Sequence, residues 1–337
     1  MGKFLPWRWL PVGALLALLA CGGSGGGTTG PPDPTGTWQV TVGPDPRFTM
    51  EVTASGDGYA FELFGADIPI AGAATPSGSG LVLEADLPGM GTFEANAVYA
   101  PDGRSFAGDW EIPEAPASGT LTGMRDPWPT WDLDTAGVPA IGAANRIDLD
   151  PIERLSRFRS GAGHDYSDDF ESCRSMKHYF DPYDGVDMST IRIHAPFAGT
   201  VVGTTEEWDG PTTWKGTAVG IRPLSHPAIH VVLFHVDLHQ PLPVGATVSA
   251  GQELGTSEKD DGTAADVAFG VMTPAGFRLV SWFEVMTNDV FAAYAARGVG
   301  SRTDLIVTRA QRDADSLTCD GQQFLTTSSL PDWIDQD

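Results

Sequence analysis

Trp38-Gln39-Val40-Thr41-Val42, Phe48-Thr49-Met50-Glu51-Val52, Tyr59-Ala60-Phe61-Glu62-Leu63 and Leu81-Val82-Leu83-Glu84-Ala85 alternate apolar and polar residues. A period of two turns one set of side chains toward a core and the other toward water, which is the pattern of a half-buried β-strand. Gly, Pro, Asp and Ser separate these runs at short intervals. Residues 36–125 therefore read as a small antiparallel β-sandwich or barrel. Gly36-Thr37-Trp38 and Gly108-Asp109-Trp110 echo each other near its two ends. A tryptophan at a strand start is expected to plug the core rather than to meet a ligand.

The Gly-x-Trp opening is similar to that of lipocalin-like barrels, although a segment this short implies a smaller pocket. Beyond it, Pro127, Pro129 and Pro139 interrupt regular structure, so residues 126–150 read as a linker that partly packs on a second domain. That domain is expected to be β-rich and to run from Pro151 to the end. Its strands are Ile191 to Ile193, Gly199 to Val202, Ala218 to Ile221, Ile229 to Val236, Asp266 to Met272 and Phe277 to Phe283. One helix is predicted near the end, capped by Thr287 or Asn288, with Val290, Phe291 and Tyr294 on one face and Gly298 as its stop. The expected class is mainly β, with a C-terminal helical segment.

At the other end, Lys3 and Arg8 precede an apolar run from Leu10 to Ala20, too short for a membrane span and typical of a secretory signal. Leu18-Leu19-Ala20-Cys21 resembles the lipobox of bacterial lipoproteins, whose cysteine is lipidated before cleavage. The resemblance implies an anchor at Cys21 and a place in the bacterial cell envelope. Several acyl chains would hold the protein on a membrane, and Gly22 in place of Asp points to the outer one. Residues 22–35 read as a flexible Gly/Ser/Pro tether.

The chain carries 44 acidic against 20 basic residues, a net charge of -24. That excludes nucleic acid as a partner, since its binding depends on neutralising phosphates with Lys and Arg. Of the three cysteines, Cys173 and Cys319 remain after Cys21. In an exported chain they are expected to pair as a disulfide.

His164 and Asp168 stand four apart, a spacing that puts both side chains on one face of a helix or a strand. A histidine with a carboxylate can begin a zinc site if a third ligand and an open water position are found. Further on come Leu233-Phe234-His235-Val236, then Val244-Gly245-Ala246-Thr247-Val248-Ser249-Ala250-Gly251-Gln252-Glu253-Leu254-Gly255, then Asp266-Val267-Ala268-Phe269-Gly270-Val271. Together with Ala195-Pro196-Phe197-Ala198-Gly199-Thr200-Val201, this order resembles the M23 (LytM-type) metallopeptidase family.

The resemblance covers Gly163 to Val271 and implies that His164 and Asp168 are metal ligands and that His235 polarises substrate or water. Where the family closes with His-x-His, this chain has Asp266-Val267-Ala268, so Asp266 stands at a catalytic position and Ala268 at a ligand position. Asp266 or His235 would have to complete the set around one divalent metal, zinc before calcium or manganese. A second alignment places Tyr183-Asp184-Gly185-Val186-Asp187 on the family's first motif and leaves no ligand histidine there. His178 is a further candidate, read as a buried, hydrogen-bonded histidine. Asp165, Asp168, Asp169 and Glu171 read as a solvated acidic turn. The resemblance thus implies a degenerate peptidase relative that binds peptidoglycan or an envelope protein. The alternatives are an active metal-dependent hydrolase and a ligand-binding or structural surface lipoprotein.

Overall fold

The computed structural model describes residues 32–336 apart from 57, 66–69, 211 and 259–263. The expected signal, Cys21 and most of the tether lie outside the described residues. Eight strands come first: β1 (Gly36–Val42), β2 (Asp45–Ser55), β3 (Gly58–Phe64), β4 (Ile70–Ser77), β5 (Gly80–Leu87), β6 (Gly91–Tyr99), β7 (Ser105–Ile112) and β8 (Ala117–Met124). Each pairs antiparallel with the next. β8 returns to β1, from Gln39 opposite Met124 to Val42 opposite Leu121, so the structure is a closed barrel rather than a sandwich. This closure pairs the two strands that would otherwise be the edges of the sheet.

The alternating residues face inward as the period of two requires, and Trp38, Met50, Phe61 and Leu81 are fully buried. Side chains of this kind contribute about 1.5–3 kcal/mol each when buried. Trp38 is a core plug as expected: its indole N–H donates to the Pro34 carbonyl at 2.8 Å. Phe106 packs 5.0 Å from its ring, and the Arg125 guanidinium lies 4.1 Å over it.

The second set comprises β9 (Ile152–Ser156), β10 (His178–Pro182), β11 (Arg192–His194), β12 (Gly199–Asp209), β13 (Thr213–Pro223), β14 (Ile229–Leu238), β15 (Thr247–Val248), β16 (Glu253–Ser257), β17 (Ala264–Thr273) and β18 (Gly276–Val280). β12, β13, β14 and β17 pair antiparallel in that order. On its far edge β17 meets β10 with its first half and β18 with its second. Both faces of the central strands are covered. Val231, Leu233, Val267 and Phe269 enter the main core with Ile193 and Trp282. Val232, Phe234 and Ala268 face the other way, into a smaller cluster with Met176, Phe277 and Leu279. Burial on both sides explains why these strands read as near-continuous apolar runs.

Residues 126–150 pack on this second set. The Trp131 N–H reaches the Met272 carbonyl, those of Ile141 and Gly142 reach Val285, and Arg222 lies 4.2 Å over Trp128. A one-turn helix, α1 (Leu133–Ala136), interrupts them, capped by Asp132. The expected strand from Phe277 to Phe283 stops at Val280, because Ser281 caps α2 (Trp282–Val285) in a capping box with Glu284. The expected helix forms as α3 (Asn288–Ala295), capped by Thr287, with Val290 and Tyr294 buried.

The barrel adjoins the second sheet along β8 and β12. Thr205 pairs with Gly119, and the Thr204 N–H donates to Thr120 Oγ1 at 2.8 Å. Gly203 makes the approach possible, since a Cβ there would fall 1.7 Å from the Gly43 carbonyl oxygen. The described residues belong to one compact unit.

Cys173 and Cys319 are joined as expected, 146 positions apart in sequence. A cross-link closing so long a loop removes much of the unfolded chain's freedom, typically contributing about 2–4 kcal/mol. Replacing both cysteines by serine should therefore lower the urea midpoint and raise the m-value, since the freed unfolded chain is more expanded and exposes more surface. An unchanged midpoint would show that the link contributes nothing.

Candidate functional site

β17 lies between β14 and β10, with Leu233 and His178 both opposite Val267. The same neighbourhood therefore receives Asp266 from β17, His235 from β14 and Lys177 from the residue before β10. By strand alternation Asp266 faces the same side as Ala268, away from the main core. His164 arrives from the irregular stretch after β9.

Lys177 is the centre of the cluster. Its Nζ donates to Asp266 Oδ2 at 2.7 Å and stands 3.2 Å from His164 Nε2. It also lies 3.9 Å from the Phe234 ring centre and 4.7 Å from that of Tyr166. The two charged side chains are only 4% and 1% exposed. An ammonium offers three donors, and here it meets a carboxylate, an imidazole lone pair and an aromatic face.

His164 Nδ1 is 2.9 Å from the Asp165 carbonyl, which can only accept, so the network assigns the proton to Nδ1 and leaves Nε2 to receive Lys177. Burial, and then the neighbouring ammonium, push the His164 pKa down, in keeping with a neutral ring. Burial alone would favour neutral Lys177 and neutral Asp266. Each offsets that for the other, so the lysine is held above its usual pKa and the aspartate below its own.

His235 occupies the outer side of the cluster. Its Nε2 is 3.3 Å from Asp266 Oδ1, its Nδ1 is 3.1 Å from the Lys215 carbonyl, and its backbone N–H donates to Glu207 Oε2 at 2.7 Å. Its φ of 57° is uncommon for a residue with a side chain. Gly216 faces this kink, and a Cβ there would lie 2.6 Å from the His235 carbonyl carbon. Such strain costs on the order of 1–3 kcal/mol and gathers at functional positions. Burial pushes the Glu207 carboxyl up to about 7, although His235 opposes the shift. Around these two residues opens a depression of about 620 Å³, edged by Thr205, Trp208, Asp209 and Lys215.

The structure brings His164, His235 and Asp266 to one cluster and sets Asp168 to other work. Residues 157–177 form neither helix nor strand around Asp168, so the spacing of four does not pair it with His164 as expected. Asp168 accepts from the backbone N–H groups of Phe170, Glu171 and Leu279, bracing β18. Ala268 sits in the apolar cluster. The fit to a divalent ion is therefore poor: Asp168 is committed, Ala268 has no donor atom, and the inner oxygen of Asp266 and the Nε2 of His164 already face an ammonium. Among the described residues no group of three or more His, Cys, Asp or Glu side chains is placed to hold a metal.

Tyr183 is exposed and Asp187 caps a single turn through the Ser189 N–H, so the second alignment adds nothing to the cluster. His178 is buried and hydrogen-bonded as read, 2.8 Å from both the Ser156 carbonyl and Ser281 Oγ. The acidic turn is more ordered than expected. Asp165 accepts from Cys173 and Arg174 N–H groups, Asp169 from that of Phe277, and Glu171 pairs with Arg159 and Arg174. Lys177 and Glu207 were not singled out by sequence. The available signal for Lys177 was a cation set between Met176 and His178-Tyr179-Phe180, in a run otherwise fit for burial.

The sequence matches no protein-family model and no curated protein. Several solved structures show likeness. The Helicobacter pylori Csd3 structure from an orthorhombic crystal is 11% identical over 72% of this chain and 56% of its own, with a TM-score of 0.30. That from a hexagonal crystal is 12% identical over 74% and 54%, with a TM-score of 0.26. A zinc containing peptidase from Vibrio cholerae is 9% identical over 69% and 55%, with a TM-score of 0.25. This chain thus spans about half the length of each. Likeness at that level identifies no family.

Proposed function

We propose that this protein is an envelope lipoprotein, held through lipid on Cys21, whose second β domain is a degenerate M23-like module that binds peptidoglycan rather than cutting it. The observation that carries the reading is the depression at His235. It is lined by the exposed Trp208 ring and Asp209 carboxylate and by the part-buried Glu207 and His235, while the cluster behind it is closed by Lys177 and the apolar wall at Ala268. Carboxylates accept hydrogen bonds from hydroxyls, amides and amines, and an exposed tryptophan supplies a flat apolar wall. Binding needs only these groups. Hydrolysis by an M23-type route would need a metal-bound water, for which the donor set is not arranged.

Sedimentation with isolated sacculi tests the proposal. The purified chain should pellet with them, and the pair of changes Glu207→Gln and Trp208→Ala should raise the apparent dissociation constant about tenfold, the effect of losing roughly 1.4 kcal/mol. Recovery no greater than in tubes without sacculi would reject peptidoglycan and leave an envelope protein as the partner to seek. Elemental analysis of the same preparation should find less than about a tenth of an equivalent of transition metal, far below the one per chain that a catalytic site requires. Close to one equivalent, together with release of peptides from the sacculi, would replace binding with catalysis.

A further inference from the structure

We propose that His164, Asp266, Tyr166 and Phe234 form a cation-binding site which the chain fills with its own Lys177, and that the site accepts a free cation once that side chain is removed. The inference stands on the geometry of the cluster and is independent of what the depression at His235 binds.

Three features separate this from an ordinary buried ion pair. A lone Lys–Asp pair needs one carboxylate oxygen, yet here the ammonium is met from separate segments by Asp266 at 2.7 Å, His164 Nε2 at 3.2 Å and the Phe234 ring at 3.9 Å. The imidazole is fixed with its lone pair inward, because Nδ1 is tied to the Asp165 carbonyl. This is the orientation in which a histidine can serve a cation. Finally, the strands place the donors without help from Lys177. Asp266 is set by the pairing of β17 with β14, and His164 is followed by a tie from the Asp165 N–H to the Gln322 carbonyl, close to the disulfide at Cys319. A framework anchored in this way should persist as a cavity when the lysine stem is cut back.

Lys177→Ala deletes three methylenes and the ammonium, and n-propylammonium has those same atoms. In a thermal melt, n-propylammonium chloride at a hundred times its dissociation constant should raise the midpoint of Lys177→Ala by about 5 °C. Wild type, and Lys177→Met with its stem still in place, should move by less than about 1 °C by the same relation. n-Propanol, which has the shape without the charge, should fail.

A folded Lys177→Ala protein indifferent to n-propylammonium would overturn the proposal, as would an equal response in wild type. Should Lys177→Ala not fold, the wild-type protein decides by NMR. The site requires a slowly exchanging Lys177 ammonium signal with a cross-peak to His164 and an unprotonated Nε2 on that ring. A rapidly exchanging ammonium or a protonated Nε2 would refute it.

Discussion

Asp266→Asn should cost about 3–5 kcal/mol of folding stability, the penalty for leaving one member of a buried ion pair without its counter-charge. The substitution keeps the shape of the side chain and removes its charge. Lys177, 4% exposed, would keep the His164 lone pair and the aromatic faces but lose the carboxylate 2.7 Å away. Those partners do not replace a counter-ion in a site closed to water. The pair together is a different matter. Lys177→Met with Asp266→Leu fills similar space with apolar groups beside Ala268 and Phe234, and should recover most of the loss. Urea unfolding of the singles and the double measures the coupling directly. A loss below about 1 kcal/mol for Asp266→Asn would mean that water reaches the cluster and that it behaves as a surface pair.

Acid should unfold the protein well before its carboxylates are all protonated. Burial pushes both His178 and His230 down to about 3. The folded state keeps both rings neutral, whereas the unfolded chain takes up their protons near pH 6.5. Their contribution is thus complete above about pH 6.5 and is lost as pH falls toward 3, at roughly 1.4 kcal/mol per unit for each histidine. Between pH 6.5 and 4.5 the two together should remove about 5 kcal/mol. His178 has no room to adapt, with both nitrogens 2.8 Å from Ser156 and Ser281 partners. His230 lies against Phe277, ring centres 5.6 Å apart. Chemical denaturation across that range gives the slope, and His230→Gln should roughly halve it. Stability that stays level down to pH 4.5 would refute the assignment.

The parts of the fold legible in the sequence were those set by local pattern. Strands of period two, the capped helix at Thr287 and the pairing of two exported cysteines each follow from short-range chemistry. Barrel closure did not, because pairing of β8 with β1 joins segments some eighty residues apart through backbone groups common to every sequence. His164, His235 and Asp266 could be named as site residues, and the structure brings them together. Asp168 could be named too, but the spacing argument assumed a regular backbone, and in a turn a carboxylate is drawn to the nearest amides. Lys177 stayed hidden for the opposite reason. A lysine reads as a surface residue unless its partner is known, and its partner lies 89 positions away.

The seam at Gly43, Gly119 and Gly203 carries a consequence for how the molecule can be divided. β12 touches the barrel at Thr205 and, two residues later, supplies Glu207 to the depression. One continuous strand, bulged at Glu207, is thus shared by the two halves that flank the proline-rich stretch at 126–150. Cutting the gene there would not release two independent parts. It would strip one wall from the strand that aims Glu207, so a fragment retaining every residue of the depression could still lose its grip.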